Sequence, residues 1–221
     1  MDSTTLSLYA PPPLYPLDYV YVDKTVIVVV KPSGLLSVPG RGEGKQDCLL
    51  ARVRLDYPDA LTVHRLDMET SGLIVFARGT AAQRDLSMAF QNRHVYKRYI
   101  AVVHGCVIED TGRVEAPMIV DWPNRPRQKI DFEHGRPALS LYRVLRREAD
   151  RTRLELEPVT GRSHQLRVHM LRLGHPIIGD GLYAPSPVRM LADRMLLHAA
   201  ELRFAHPADA IPLSFSSTPP F

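Results

Sequence analysis

The sequence predicts a mixed α+β fold in a single domain, with residues 1–17 as a loose arm and 18–221 as the folded unit. Short apolar runs of strand length outnumber helical patterns and interleave with them. Hydrophobic residues make up 45% and charged residues 24% of the 221 positions, the proportions of a globular chain rather than a disordered, collagenous or coiled-coil one. Prolines punctuate the chain throughout, yet there is no internal repeat, low-complexity tract or long linker.

Taken in order, Pro11, Pro12, Pro13 and Pro16 keep the arm irregular. Residues 19–22 and 26–30 read as two short strands joined by Asp23, Lys24 and Thr25. Lys31-Pro32-Ser33-Gly34 then enforces a turn, since proline removes a ladder donor and glycine tolerates positive φ. A helix is expected over 47–56, where Leu49, Leu50, Val53 and Leu55 give an apolar side. The run 73–77, bounded by Gly72 and Arg78, reads as a buried strand, and Thr80 as the N-cap of a helix reaching Asn92. Further strands are expected over 99–103, 138–145 and 152–156. Residues 163–173 form a helix closed by Gly174 and Pro176, and 196–204 is the strand that ends the ordered core.

The chain has 28 Lys+Arg against 24 Asp+Glu, a net charge of +4 that says little by itself. Its distribution says more. No acid occurs from Pro158 to Gly179, a stretch that holds Arg162, Arg167 and Arg172 with His164, His169 and His175. Arg125, Arg127 and Lys129 form a second basic stretch. Such stretches are either solvated faces or phosphate-tracking surfaces. Cys48 and Cys106 form no CxxC pair, which excludes a disulfide framework and a cysteine zinc site and points to the reducing cytoplasm. No apolar run approaches the ~18 residues needed to cross a bilayer, and the N-terminus lacks a signal-peptide pattern, so no membrane association is expected. His164 and His169 are five apart, about 140° around a helix, and cannot share a face as zincin ligands do. With no Walker loop, dinucleotide fingerprint or serine elbow either, no metal and no cofactor is expected.

The segment His64-Arg65-Leu66-Asp67-Met68-Glu69-Thr70-Ser71-Gly72 precedes the apolar strand at Leu73. A buried strand fixes the position of such a turn, and a carboxylate held there can serve as nucleophile or general base. A lone Asp67 could equally cap the turn or pair with an arginine. The helix at 163–173 adds a constraint. Leu173, Leu166, Met170, Leu171 and Val168 span one apolar arc with Arg167 inside it, while Gln165, His169 and Arg172 share the opposite, wet face. A core-facing arginine calls for a carboxylate, with Asp67, Glu69 and Asp180 as candidates, unless its head snorkels to water.

These residues resemble a known family, the RluA-type pseudouridine synthases, over about residues 18–206. His64 to Leu73 is similar to the family's catalytic motif with its essential aspartate, and Lys31-Pro32-Ser33-Gly34-Leu35 to its opening motif. Tyr96-Lys97-Arg98-Tyr99 resembles the segment that supplies the active-site tyrosine. Gly161-Arg162-Ser163-His164-Gln165-Leu166-Arg167-Val168-His169 resembles the third motif and Leu197-His198-Ala199 the last. Asp121-Trp122-Pro123-Asn124-Arg125-Pro126 resembles the dual-specificity branch that acts on large-subunit rRNA and tRNA.

The resemblance implies a catalytic domain built on a mixed, mainly antiparallel, bent sheet. The S4-like domain that many relatives carry is not expected, because the chain starts too close to the first motif. It implies a cofactor-free and metal-free isomerase that detaches a uridine base, turns it and rejoins it through C5. Asp67 would be the nucleophile and Arg167 its ion-pair partner. Tyr96 would stack on the target base and take the C5 proton, with Leu197 packed under the base. Arg65 would fill the gap left by the flipped base or pair with Asp67, and His64 would sit at the substrate. Arg162, Arg125, Arg127, Lys129 and Arg172 would meet phosphates. The expected substrates are hairpin loops, the tRNA anticodon loop and a large-subunit rRNA hairpin, taken by a monomer with no protein partner. Alternatives are a synthase for another tRNA or rRNA uridine, a catalytically silent RNA-binding domain, and a carboxylate hydrolase that would need Glu69 as second acid.

Overall fold

The computed structural model describes residues 9–14 and 16–221; most of the expected arm, residues 1–8 and Tyr15, lies outside the described residues. The Asp23 carboxylate accepts the Thr25 and Val26 amides, each at 2.7 Å, and so closes the turn between β1 (Asp18–Val22) and β2 (Val26–Lys31). The Cys48 thiol caps α1 (Leu49–Asp56), accepting from the Ala51 amide at 3.4 Å. After β3 (Ala60–Thr62) and β4 (Ser71–Arg78), the N-cap of α2 (Thr80–Gln91) is Gly79. Thr80 is therefore the first helical residue and not the cap. The strand-to-helix corner needs φ of +80°, which glycine adopts and threonine does not.

The chain continues through β5 (Tyr96–His104), β6 (Thr111–Glu115), β7 (Met118–Val120), β8 (Gln128–Ile130), β9 (Leu139–Arg147) and β10 (Arg151–Pro158). It closes with α3 (Gln165–Arg172), α4 (Ser186–Arg189), β11 (Leu197–Ala205) and β12 (Pro212–Ser216). The short β3, β6, β7, β8 and β12 are absent from the sequence reading. Several of their side chains face solvent, so pairing with longer neighbours defines them rather than apolar pattern. β12 in particular extends the sheet beyond the strand expected to end it.

The main sheet runs β1-β2-β4-β11-β5-β10-β9-β6, with β12 also on β11, β3 also on β4, and β7–β8 forming a separate ribbon. Every pair is antiparallel except β4 with β11, which matches the expected mixed, mainly antiparallel sheet. That junction is only two residues long, Ser71 with His198 and Gly72 with Ala199. Gly72 makes it feasible: at φ +112° a Cβ there would stand 2.3 Å from the Ala199 carbonyl oxygen.

A single row of paired residues crosses the junction: Lys31, Gly72, Ala199, Tyr99, Leu156 and Tyr142. Two core clusters cover this face. One, under α3, joins Ala101, Val103, Leu156 and Leu197 to Leu166 and Met170. The other, under α1, joins Ile27, Val29, Ile74 and Phe76 to Leu49 and Val53. Tyr99 packs against both, so it marks the seam between the two halves. Where β4 and β11 diverge past the junction, Leu73, Val75, Leu86, Leu202 and Phe204 fill the wedge. Among the described residues no helix is long and apolar enough to cross a membrane.

Candidate active site

The turn carrying Asp67 is fastened to the Lys31–Leu35 turn from both sides. Ser37 Oγ donates to the Leu66 carbonyl at 2.7 Å and accepts the Leu66 amide at 3.1 Å. The Met68 carbonyl accepts from Lys31 Nζ at 2.8 Å and from the Gly34 amide at 2.9 Å, and the Glu69 carbonyl accepts from Ser33 Oγ at 2.7 Å. Lys31 is fully buried, and Nζ also donates to the Pro32 and Leu35 carbonyls. Burial pushes its pKa down to about 7, against the pull of Glu69 and Asp67. Asp67 thus stands between two bolted residues, with its own side chain a quarter exposed.

Arg167 enters from α3. Its Nε and Nη2 donate to the two oxygens of Asp180 at 2.8 and 2.7 Å, and Nη1 donates to Asp67 Oδ2 at 3.1 Å. The guanidinium and Asp180 are buried, and the Tyr183 ring lies 5.0 Å from the guanidinium carbon. Asp180 also accepts the Leu182 and Tyr183 amides. Burial works against charge on Asp180, yet Arg167 and those amides outweigh it and hold its pKa below the ordinary carboxylate range. Two of the three candidate acids therefore meet Arg167 at once. Asp180 takes the Nε–Nη2 edge of the guanidinium and leaves Nη1 to reach Asp67, whose Oδ1 has His164 Nε2 at 3.8 Å.

Three expectations for the rest of this helix and its surroundings change. Gln165 and His169 are buried rather than wet, and Leu171 is exposed. Gln165 Oε1 accepts from Thr160 Oγ1 and the Arg162 amide, while Nε2 donates to the Leu139 carbonyl and Ser140 Oγ. His169 engages Ser140 Oγ and the Ala116 carbonyl. Partners from β9 and the β6–β7 connection let both polar side chains go inside. The tyrosine expectation changes as well. Tyr96 and Tyr99 are three apart on a regular strand and point to opposite faces. Tyr96 has the Arg203 guanidinium 5.0 Å from its ring centre and feels Glu157, Glu155 and Glu201. Tyr99 lies on the cleft row, its pKa raised by burial and then by Asp67. Tyr99, not Tyr96, is the aromatic group beside the carboxylate.

His64 serves the scaffold rather than the cleft. Its Nε2 accepts the Val75 amide at 3.1 Å where β4 has left β11, its ring stacks on Phe90 at 4.3 Å, and burial pushes its pKa down to about 3. Leu197 is buried in the cluster under α3 and supports the floor of the cleft. Arg65 is exposed, and Asp67 takes its cationic contact from Arg167 instead, with the His164 ring nearby. Arg125, Arg127, Lys129 and Arg172 are exposed, and Arg125 stacks over Trp122 at 4.5 Å on the β7–β8 ribbon. Arg162 is half-buried with Nε on the Pro137 carbonyl. Lys31, Ser33, Ser37, His164 and Tyr183 complete the site without having been assigned to it. Asp180 had a sequence signal as a candidate partner of Arg167, and Lys31, Ser33 and His164 lay within matched motifs without a role assigned.

A partly exposed carboxylate held at one oxygen by a buried arginine, on a domain with exposed basic side chains, is an arrangement suited to an enzyme acting on an anionic substrate. Comparison narrows the class. Residues 25–172 match the family model described as RNA pseudouridylate synthase. The chain is 51% identical over 214 residues to the dual-specificity RNA pseudouridine synthase RluA of Pasteurella multocida, covering 96% of this chain and 98% of that one. It is 50% identical to the protein of the same description in Escherichia coli K12, with the same coverage. Human RNA pseudouridylate synthase domain containing 1 superposes with a TM-score of 0.80 at 30% identity, over 96% of this chain and 87% of that one. The chain belongs to the RNA pseudouridylate synthase family. It is an isomerase that converts uridine in RNA to pseudouridine.

Proposed function

We propose that Asp67 is the nucleophilic carboxylate of this synthase and that its substrates are uridines in hairpin loops, those of the tRNA anticodon loop and of large-subunit rRNA. One observation carries the residue assignment: Asp67 keeps an open oxygen in the cleft while Arg167 holds the other at 3.1 Å. The guanidinium holds the carboxylate in one orientation, which the reaction needs whether Asp67 adds to C6, adds to C1′ or takes the 2′ proton. The N1–C1′ bond breaks, the base turns, C1′ bonds to C5, and the C5 proton leaves as N1 gains one. Tyr99 stacks on the turning base and is the group placed to accept the C5 proton.

The uridine leaves its stack to enter the cleft, at a cost of a few kcal/mol that phosphate contacts offset. Arg125, Arg127 and Lys129 on the β7–β8 ribbon and Arg172 on α3 supply those contacts, and Arg65 at the cleft mouth occupies the space vacated by the base. The relatives' name, dual-specificity RNA pseudouridine synthase, supports a pair of RNA targets rather than one. The enzyme acts in the cytoplasm as a monomer, a setting that suits its free Cys48 and Cys106 thiols.

Asp67→Asn keeps the shape and removes the nucleophile. Tritium release from RNA carrying 5-tritiated uridine is expected to fall at least about a thousandfold with RNA affinity kept. Release near the wild-type rate would end the assignment. Mapping pseudouridine in total RNA from cells with and without the gene identifies the loops. Sites confined to another tRNA or rRNA position would favour the neighbouring specificity.

A further inference from the structure

His164 is the one polar group near Asp67 that the reaction described above leaves without a task. It stands in the left-handed region, φ 56° and ψ 14°, directly before α3. Its Nδ1 is 2.7 Å from Tyr183 Oη, and its Nε2 is 3.8 Å from Asp67 Oδ1. The Tyr183 oxygen in turn accepts the backbone N–H of Gln128, the first residue of β8, at 2.8 Å. The Gln128 amide can only donate, which leaves the Tyr183 hydroxyl proton available to His164. When that proton is given to Nδ1, the imidazole is neutral with its own proton on Nε2, facing the carboxylate.

We infer that His164 is a positioning residue, a second N–H donor to Asp67 whose tautomer is set by Tyr183 and by the backbone of the RNA-facing ribbon. The inference rests on Asp67 being the nucleophile. A movement of Oδ1 by about 1 Å brings the pair to hydrogen-bonding distance. With Oδ2 on Arg167 and Oδ1 on His164, the carboxylate plane is fixed toward the sugar. The groups facing His164 are Asp67 from the fastened turn, Arg167 from its own helix, Asp180 and Tyr183 from the segment after α3, and Gln128 from β8. Burial, then Arg167, keep the imidazole below its ordinary pKa, opposed by Asp67 and Asp180. A protonated His164 would ion-pair with Asp67 and quench it. A Tyr183 hydroxyl donating to Nδ1 opposes this, because Nδ1 then accepts a proton's hydrogen bond rather than carrying the proton. The ribbon that carries Trp122, Arg125, Arg127 and Lys129 thereby reaches the nucleophile through one side chain and one ring.

The test uses the full chain, tRNA transcripts with 5-tritiated uridine, and single-turnover rates with RNA affinity measured beside them. His164→Ala and His164→Gln carry the same backbone cost, but glutamine returns an N–H near the Nε2 position. The alanine variant is expected to react about tenfold more slowly and the glutamine variant to recover most of that loss, with affinity unchanged in both. Tyr183→Phe removes the donor at Nδ1 and with it the contact that selects the Nε2–H tautomer. Its single-turnover rate should fall about threefold with RNA affinity unchanged. Equal rates in all His164 variants, equal losses with alanine and glutamine, or a Tyr183→Phe rate equal to wild type would each overturn the inference. Asp67→Asn run in parallel separates the two claims: turnover by that variant removes the nucleophile itself, whereas an inert Asp67→Asn beside unaffected His164 variants removes only the role of His164.

Discussion

Arg98 and Tyr99 are neighbours on β5, and the two sides of the strand handle charge in opposite ways. On the Arg98 side, two acids are shared by three arginines. Glu155 meets Arg98 at 2.8 Å and Arg143 at 3.0 Å, and Glu201 meets Arg98 and Arg203. On the Tyr99 side, one arginine is shared by two acids, Asp180 and Asp67. Where cations are in excess, each carboxylate is saturated and serves the sheet. Where they are short, Asp67 has one oxygen outside hydrogen-bonding distance of a cation, and on the assignment proposed above this wall of the cleft is the reactive one. An ion pair serves the sheet or the site according to the ratio of partners and the depth at which they sit.

Removing the shared cation on the cleft side should have the greatest consequence. Arg167→Ala strands the buried Asp180 and releases Asp67, so a loss of about 3–5 kcal/mol is expected along with nearly all turnover. An unchanged melting midpoint would break the contrast between the two sides. The tyrosines sharpen it next. Tyr99→Phe is expected to slow product formation about a hundredfold or more at unchanged melting temperature, whereas Tyr96→Phe leaves the rate alone. The reverse result would return the assignment to Tyr96.

Lys31 supplies a pH signature of the cleft side. Its pKa is about 7 in the folded chain and about 10.4 when unfolded, so between those values the unfolded state binds more protons. Stability attributed to this residue is lowest below pH ~7 and rises toward pH ~10. Melting curves of wild type and Lys31→Met should diverge in wild type's favour across that window, and parallel curves would show that the ammonium is not strained by burial. The smallest change belongs to the open face. Arg98→Ala leaves Glu155 with Arg143 and Glu201 with Arg203, so about 1 kcal/mol or less is expected, with full activity.

Much of this was legible in the chain itself. Arg167 inside an apolar arc demands an acid by the cost of an unpaired guanidinium, and that logic needs no partner's location. The long strands and α1–α3 announce themselves through runs and periodicity. Side chains whose surroundings come from distant strands do not. Gln165 and His169 read as surface because their partners, Ser140, Leu139 and Ala116, are about 25 to 50 positions upstream. Two tyrosines three residues apart are equivalent in a motif, and only the pairing of Tyr99 with Ala199, which in turn pairs with Gly72, separates them. His64 looks like part of the catalytic turn because adjacency in sequence hides that its ring plugs the β4 ladder.

β11 lies between β4, which follows Asp67, and β5, which carries Tyr99. During synthesis both of those strands emerge long before the one that separates them. A nascent polypeptide ending before residue 197 already contains Asp67, Tyr99, Arg167 and Asp180, but it lacks the wedge that sets their spacing. Competence therefore arrives late and all at once. The geometry that modifies RNA is completed by a segment that contributes no reacting atom.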